Sequence, residues 1–275
     1  MSAETTLRGI EATDPSSQDK AAAQIVYLSR PMEVSMADAW FEIASIEHFW
    51  VRRRFDVLRH LAGDLLASAR EAADVGCGHG LLQRQVETAY GKDVTGFDLN
   101  EFALKHNQSS RSEIYCYDIF QKDSALRERF DLVFLFDVLE HIPDEDAFLA
   151  ALLFHMAPSG KIILNVPAGQ WAYSAYDRAA GHLRRYSRRS LRETAERNRL
   201  RLLRWTYWGF PLVPILIARN LWLARVRDRD RIISDGFDSR NDTVSHLLAV
   251  MAKLEVIPQR ILGTSLMAVV ERPCG

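Results

Sequence analysis

The chain has 275 residues, hydrophobic residues at 48%, and a formal net charge of −1 at pH 7. That length can bury a full core and suits one large domain or one domain with an appendage. The near-zero balance lacks the basic excess of a nucleic-acid binder, which disfavours that partner, and the three cysteines, Cys77, Cys116 and Cys274, match no disulfide or metal spacing and read as reduced, in a cytoplasmic setting.

Residues 1–20 are polar, carry no signal-peptide apolar run, and read as a disordered lead-in. Residues 21–60 read as helical, with Trp40, Phe41, Ile43, Ala44, Ile46 and Phe49 near helical spacing and Phe55, Leu58, Leu61 and Leu65 following. A helical cap over 21–65 therefore precedes the main domain, 66–275. There short apolar runs alternate with amphipathic ones. The runs Glu71–Val75, Asp93–Phe97, Glu113–Tyr117, Phe130–Phe136 and Lys161–Val166 read as strands. Leu81–Tyr90, Glu101–Asn107 and Asp144–Met156 read as the helices between them. Pro158-Ser159-Gly160 reads as a turn before the fifth strand.

Beyond it, Ser190–Asn198 reads as a helix, Leu200–Tyr207 as a sixth strand and Ser265–Glu271 as a last one. Between those two strands lies a helical insert, Trp208 to Leu262, with helices over Phe210–Arg229 and Thr243–Val256. Its apolar stretch, Phe210 to Ala224, is too short and too interrupted to span a bilayer. The insert reads as a lid acting with Ala37–Trp50 over a partly hydrophobic acceptor; a homodimer face or a membrane-surface contact are the other readings. The expected fold class is α/β: a Rossmann-like, doubly wound, mostly parallel seven-stranded sheet.

Gly76, Gly78 and Gly80 sit between the first strand of this series and its helix. Glycines admit positive φ and close approach of a ligand, and the helix N-terminus offers free N–H groups. The spacing is Gly-x-Gly-x-Gly, not the Gly-x-Gly-x-x-Gly of dinucleotide binders. Asp74 precedes the loop. Asp98 ends the next strand about 20 residues on, where an acid accepts from ribose hydroxyls. Asp118 ends the third. Acids at the ends of three successive strands point to S-adenosylmethionine, with an NAD-dependent oxidoreductase and a non-catalytic binder of the same cofactor as the competing readings.

Asp74-Val75-Gly76-Cys77-Gly78-His79-Gly80, Gly96-Phe97-Asp98-Leu99, Phe130-Asp131-Leu132-Val133 and Asp137-Val138-Leu139-Glu140-His141 together resemble the class I S-adenosylmethionine-dependent methyltransferases. The resemblance runs from about residue 47 to 207. It implies that Gly76, Cys77, Gly78 and Gly80 line the methionine part of the cofactor. Asp98 with Leu99 would hold the ribose, Asp118 with Ile119 would frame the adenine, and Phe136 and Asp137 would pass beside the cofactor. His79 stands where the family usually has Thr or Ser. Glu47 to Arg54, Asn165-Val166-Pro167-Ala168 and Gly181-His182-Leu183-Arg184-Arg185-Tyr186 look like a bacterial small-molecule subgroup, in which Arg54 would reach the cofactor carboxylate.

In a helical turn, Asp137, Glu140 and His141 share a face and, with His182, offer four ligands to a divalent metal. That arrangement looks like the acid-x-x-Glu-His of metal-assisted O-methyltransferases acting on catechols, vicinal diols or RNA 3′ ends. The favoured reading is metal-free, with His141 and His182 catalytic, Arg184 and Tyr186 touching the acceptor, and methyl transfer to oxygen or nitrogen of a small molecule in secondary metabolism or cell-envelope biosynthesis. Arg188, Arg189 and Arg192 read as a solvated helix face.

Overall fold

The computed structural model describes residues 24–34, 45–223, 225–226, 232, 250 and 255–273. Its elements in chain order are β1 (Ile25–Tyr27), α1 (Phe49–Ser68), β2 (Ala72–Val75), α2 (Leu81–Tyr90), β3 (Val94–Asp98), α3 (Glu101–Lys105), β4 (Ile114–Cys116), β5 (Phe130–Phe136), α4 (Glu145–His155), β6 (Met156–Pro167), α5 (Ala175–Ala180), α6 (Arg188–Arg197), β7 (Arg201–Trp208), α7 (Val213–Leu223) and β8 (Ser265–Glu271). Among the described residues no helix is long and apolar enough to cross a membrane. The polar lead-in, most of Ala37–Trp50, most of Thr243–Val256 and Cys274 lie outside the described residues.

The strands form one sheet in the order β1-β4-β3-β2-β5-β6-β8-β7. All neighbours are parallel except at β8, which runs antiparallel to both β6 and β7. The Rossmann-like class holds, but the sheet has eight strands rather than seven. The extra one is β1, in a region that the apolar spacing assigned to helix. Three residues of Ile-Val-Tyr are β-branched or aromatic, and edge pairing with β4 overrides a weak helical pattern.

Successive residues of the central strands serve opposite layers, which is why these strands read as unbroken apolar runs. Val133 and Leu135 pack with Leu149 and Leu152 of α4. Leu132, Phe134 and Phe136 pack with Leu58 and Leu66 of α1. Helix α2 lies between Gly80 and Gly91, both left-handed, so its two ends are set by residues that tolerate that conformation. The expected turn at Pro158-Ser159-Gly160 lies inside β6, as an irregularity in its pairing with β5. Pairing jumps in register from Phe130–Met156 to Leu132–Lys161, with Ser159 at φ 62°.

Candidate active site

The ends of β2, β3, β4 and β5 meet at one edge, the place where open α/β sheets bind ligands. Gly76, Gly78 and Gly80 all have positive φ (78°, 54° and 76°). The amides of Gly76 and Cys77 both donate to Phe97 O, at 2.8 and 3.1 Å, and lash the loop to β3. Two residues have no room for a Cβ: at Gly76 it would lie 2.4 Å from Val138 Cγ2, and at Gly80 2.3 Å from Asn107 Oδ1.

Asp98 joins three backbone donors. Its Oδ2 accepts from Gly78 N at 2.8 Å, and its Oδ1 from Leu99 N at 2.7 Å and Asn100 N at 2.8 Å. Burial pushes its carboxyl pKa up, against those hydrogen bonds. Asp74 is also buried, and burial raises it to about 7, opposed by Arg54 and aided by Asp98. Asp118 Oδ1 accepts from Phe120 N at 3.0 Å and opens the turn Ile119–Gln121. Cys77 is buried and its thiol is pushed up by burial, so it stays protonated. A nucleoside cofactor fits this edge: the glycine loop leaves backbone open to it, and three acids stand around the loop.

Asp137 departs from the expected metal set. It has φ 57°, and its side chain turns to Arg54 Nη1 at 2.6 Å, while Asn165 Nδ2 donates to its other oxygen at 2.7 Å. Asn165 Oδ1 in turn accepts from Trp208 Nε1 at 2.9 Å. The shared helical face does not form because only Leu139–His141 makes a 3₁₀ turn, and Asp137 precedes it in a left-handed conformation. The Arg54 guanidinium also lies 5.2 Å from the Phe136 ring centroid.

The other three members do come together. One ligand atom each of Glu140, His141 and His182 lies within 4.8 Å of the others. Glu140 is 0% exposed, and neither carboxylate oxygen has a hydrogen-bond partner. Burial, then the charge of Asp137, raises its carboxyl well above the ordinary range. Burial, then His182, pushes His141 down to about 4. The two imidazoles meet edge to face with centroids 4.8 Å apart.

His182 is oriented by Asp177, a residue the sequence reading passed over. Nδ1 of His182 and Oδ1 of Asp177 are 2.9 Å apart, and Arg185 Nε donates to the same oxygen at 2.7 Å. Burial alone would raise Asp177, but His182 and Arg185 outweigh it and hold it at about 2. An ionised carboxylate only accepts, so Nδ1 of His182 donates to Asp177, and Nε2 lies 4.0 Å from Glu140 Oε1.

Arg184 and Tyr186 stand elsewhere. Tyr186 is buried and its hydroxyl donates to Glu145. Arg184 pairs with Glu145 at 3.0 Å and donates to Pro143 O at 3.2 Å. Both pin the loop after β6 to the start of α4. Tyr186→Phe is expected to cost about 1–2 kcal/mol of stability, from the donor lost to Glu145, and to leave turnover intact. Urea melts beside initial rates check this: lost turnover at unchanged stability would restore the substrate role. Arg189–Glu193 and Arg192–Glu196 are i,i+4 pairs on α6, as a solvated face requires.

Residues 47–211 match the family model described as a methyltransferase domain. Among curated proteins, a ubiquinone biosynthesis O-methyltransferase of Bordetella avium is 31% identical over 118 residues, 41% of this chain and 48% of that protein. One from Idiomarina loihiensis is 35% identical over 102 residues, 35% of this chain and 42% of that protein. The chain thus spans about half the length of the curated relatives it matches, or less. Two solved structures share the fold: a SAM-dependent methyltransferase from Archaeoglobus fulgidus (TM-score 0.52, 16% identity, 85% of this chain and 97% of that one) and a Burkholderia thailandensis 1,6-didemethyltoxoflavin-N1-methyltransferase (TM-score 0.51, 15% identity, 86% and 81%). The glycine loop, the acids at the sheet edge and the family match over more than half the chain set aside the oxidoreductase reading: this chain belongs to the class I S-adenosylmethionine-dependent methyltransferases.

Proposed function

We propose that this chain methylates an oxygen of a small, partly hydrophobic acceptor held beside Glu140, His141 and His182. One observation carries the reading: the carboxyl group of Glu140 and the imidazole of His141, just after β5, gathered with the imidazole of His182, just after α5. Bound S-adenosylmethionine supplies an electrophilic methyl group on its sulfonium. A hydroxyl acceptor must lose its proton to attack, whereas a neutral amine needs no such help. With Nε2 unprotonated, His182 would take this proton, and Asp177 would hold the resulting imidazolium. The similarity to ubiquinone biosynthesis O-methyltransferases supports oxygen over nitrogen.

A second reading is favoured by Glu140. A fully buried carboxyl group without a hydrogen-bond partner suits a cation, and Glu140, His141 and His182 form the kind of donor set that holds one. A divalent metal there would take two neighbouring oxygens of a catechol or vicinal diol and lower the pKa of one. Asp137 would stand outside its ligand set.

Helix α7 supports the lid role of the insert. Asn220 Nδ2 donates to Ala172 O at 2.9 Å, and the Arg219 guanidinium lies 4.4 Å from the Tyr176 ring centroid, which is 6.4 Å from that of His182. Its buried residues Val213, Leu216 and Leu223 are all apolar, and an apolar lid suits a partly hydrophobic acceptor.

Chelation separates the two readings. With a catechol acceptor, the metal-assisted enzyme is expected to lose at least roughly tenfold in turnover after dialysis against chelator and to regain it with magnesium or manganese. Unchanged turnover leaves the His182 base. Turnover confined to amine acceptors would overturn both.

A further inference from the structure

We propose that the segment Leu28–Met32 is the outer wall of the nucleoside end of the cofactor site and contributes directly to cofactor affinity. It lies outside the residues that match the family model. The topology places it there. Strand β1 runs parallel to β4, with Tyr27 opposite Cys116. A strand parallel to its neighbours delivers the chain that follows it to the edge where their loops already converge. The chain leaving Tyr27 therefore emerges beside Asp118.

Four hydrogen bonds then lay it across that edge. Leu28 N and Ser29 N both donate to Cys116 O at 3.0 Å. Ser29 Oγ accepts from Asp118 N at 2.8 Å. Met32 N donates to Leu99 O at 3.0 Å. Cys116 and Asp118 belong to the end of β4, and Leu99 follows Asp98 at the end of β3. The segment thus bridges the two strand ends whose acids flank a bound nucleoside.

The open cavity it borders has a volume of about 630 Å³ and is lined by Leu28, Arg30, Met32, Asp118 and Gln121, among others. Leu28 and Met32 are 37% and 57% exposed, so their apolar surface is still largely open to water. Aliphatic side chains with a guanidinium and a carboxylate in the same lining suit a flat, apolar-faced base with polar edges. The chemistry is that of a purine, and the cofactor's adenine is the purine this edge receives.

Calorimetric titration of the full chain with S-adenosylhomocysteine tests the assignment on binding alone. The double variant Leu28→Ala/Met32→Ala removes exposed side chains and keeps all four hydrogen bonds of the segment. It is expected to bind about tenfold more weakly than the unaltered chain. Wild-type affinity in that variant would overturn the proposal. If the variant does not fold, hydrogen exchange of the unaltered chain decides: slower exchange across residues 28–33 with S-adenosylhomocysteine supports the wall, and unchanged exchange there overturns it.

Discussion

Asp98→Asn is expected to weaken S-adenosylhomocysteine binding by roughly a hundredfold. The carboxylate receives donors on both oxygens, from Gly78 on one side and from Leu99 and Asn100 on the other. An amide keeps only one acceptor atom. Whichever way it is turned, its NH₂ faces a backbone N–H, and a donor meets a donor. Either the Gly78 amide swings away and the glycine loop loses one of its ties to β3, or the turn at Leu99-Asn100 opens. Charge-assisted hydrogen bonds are worth about 1.5–3 kcal/mol, so losing one or two accounts for a change of this size. Asp98→Glu keeps both acceptors but lengthens the side chain, and it should fall between the two. Calorimetry on the three proteins is the measurement; near-wild-type affinity for Asp98→Asn would show that the loop is not held from this side chain.

Gly76→Ala should be the most damaging single methyl added to the site. At φ 78° an L-residue costs about 1–2 kcal/mol, and the new Cβ would sit 2.4 Å from Val138 Cγ2. Relieving that overlap by moving Val138 adds about 1–3 kcal/mol. Val138 belongs to the turn leading into Leu139–His141, so the displacement reaches Glu140 and His141 as well. The two costs are separable. Val138→Ala in the Gly76→Ala background removes the overlap and leaves the backbone strain, so it should restore part of the lost stability and no more. Urea melts of the four proteins of this cycle check it. Full restoration would mean that the left-handed conformation is not required, and none would mean that Val138 yields without cost.

The glycine loop and the acids of the sheet edge were legible because their signals are local. The strand Phe130–Phe136, the helix Leu81–Tyr90 and the strand Ser265–Glu271 occur at the residues their patterns imply. The acceptor side was less legible. Glu140, His141 and His182 were expected to converge, and they do. Asp137 was expected to join them and is held by Arg54 and Asn165 instead. In the sequence, Asn165 stood out only as a member of the subgroup segment Asn165-Val166-Pro167-Ala168 and as a polar residue inside an apolar strand. Asp177 carried no sign at all, because an acid near the start of a short helix reads as a capping residue. It does cap α5, with Ser174 N donating to its Oδ2 at 2.8 Å, while its other oxygen serves His182 and Arg185.

By itself the amino-acid sequence determined the alternation of strand and helix and the left-handed turns at Gly76, Gly78 and Gly80. Each depends on residues a few positions apart, where periodicity and allowed φ act whatever the rest of the chain does. Tertiary structure decided the eighth strand, the loss of Asp137 from the metal set, and the anchoring role of Tyr186. Those outcomes rest on pairs far apart in the chain: Tyr27 with Cys116, Arg54 with Asp137, Tyr186 with Glu145. A charged or hydroxyl side chain has several partners of suitable chemistry, and only packing determines which one lies within hydrogen-bonding distance. The glycine segment, joined to Asp98, Asp118 and the segment 137–141, therefore identifies the cofactor from sequence, while the fold decides that Asp177 and Glu140, and not Asp137, face His182.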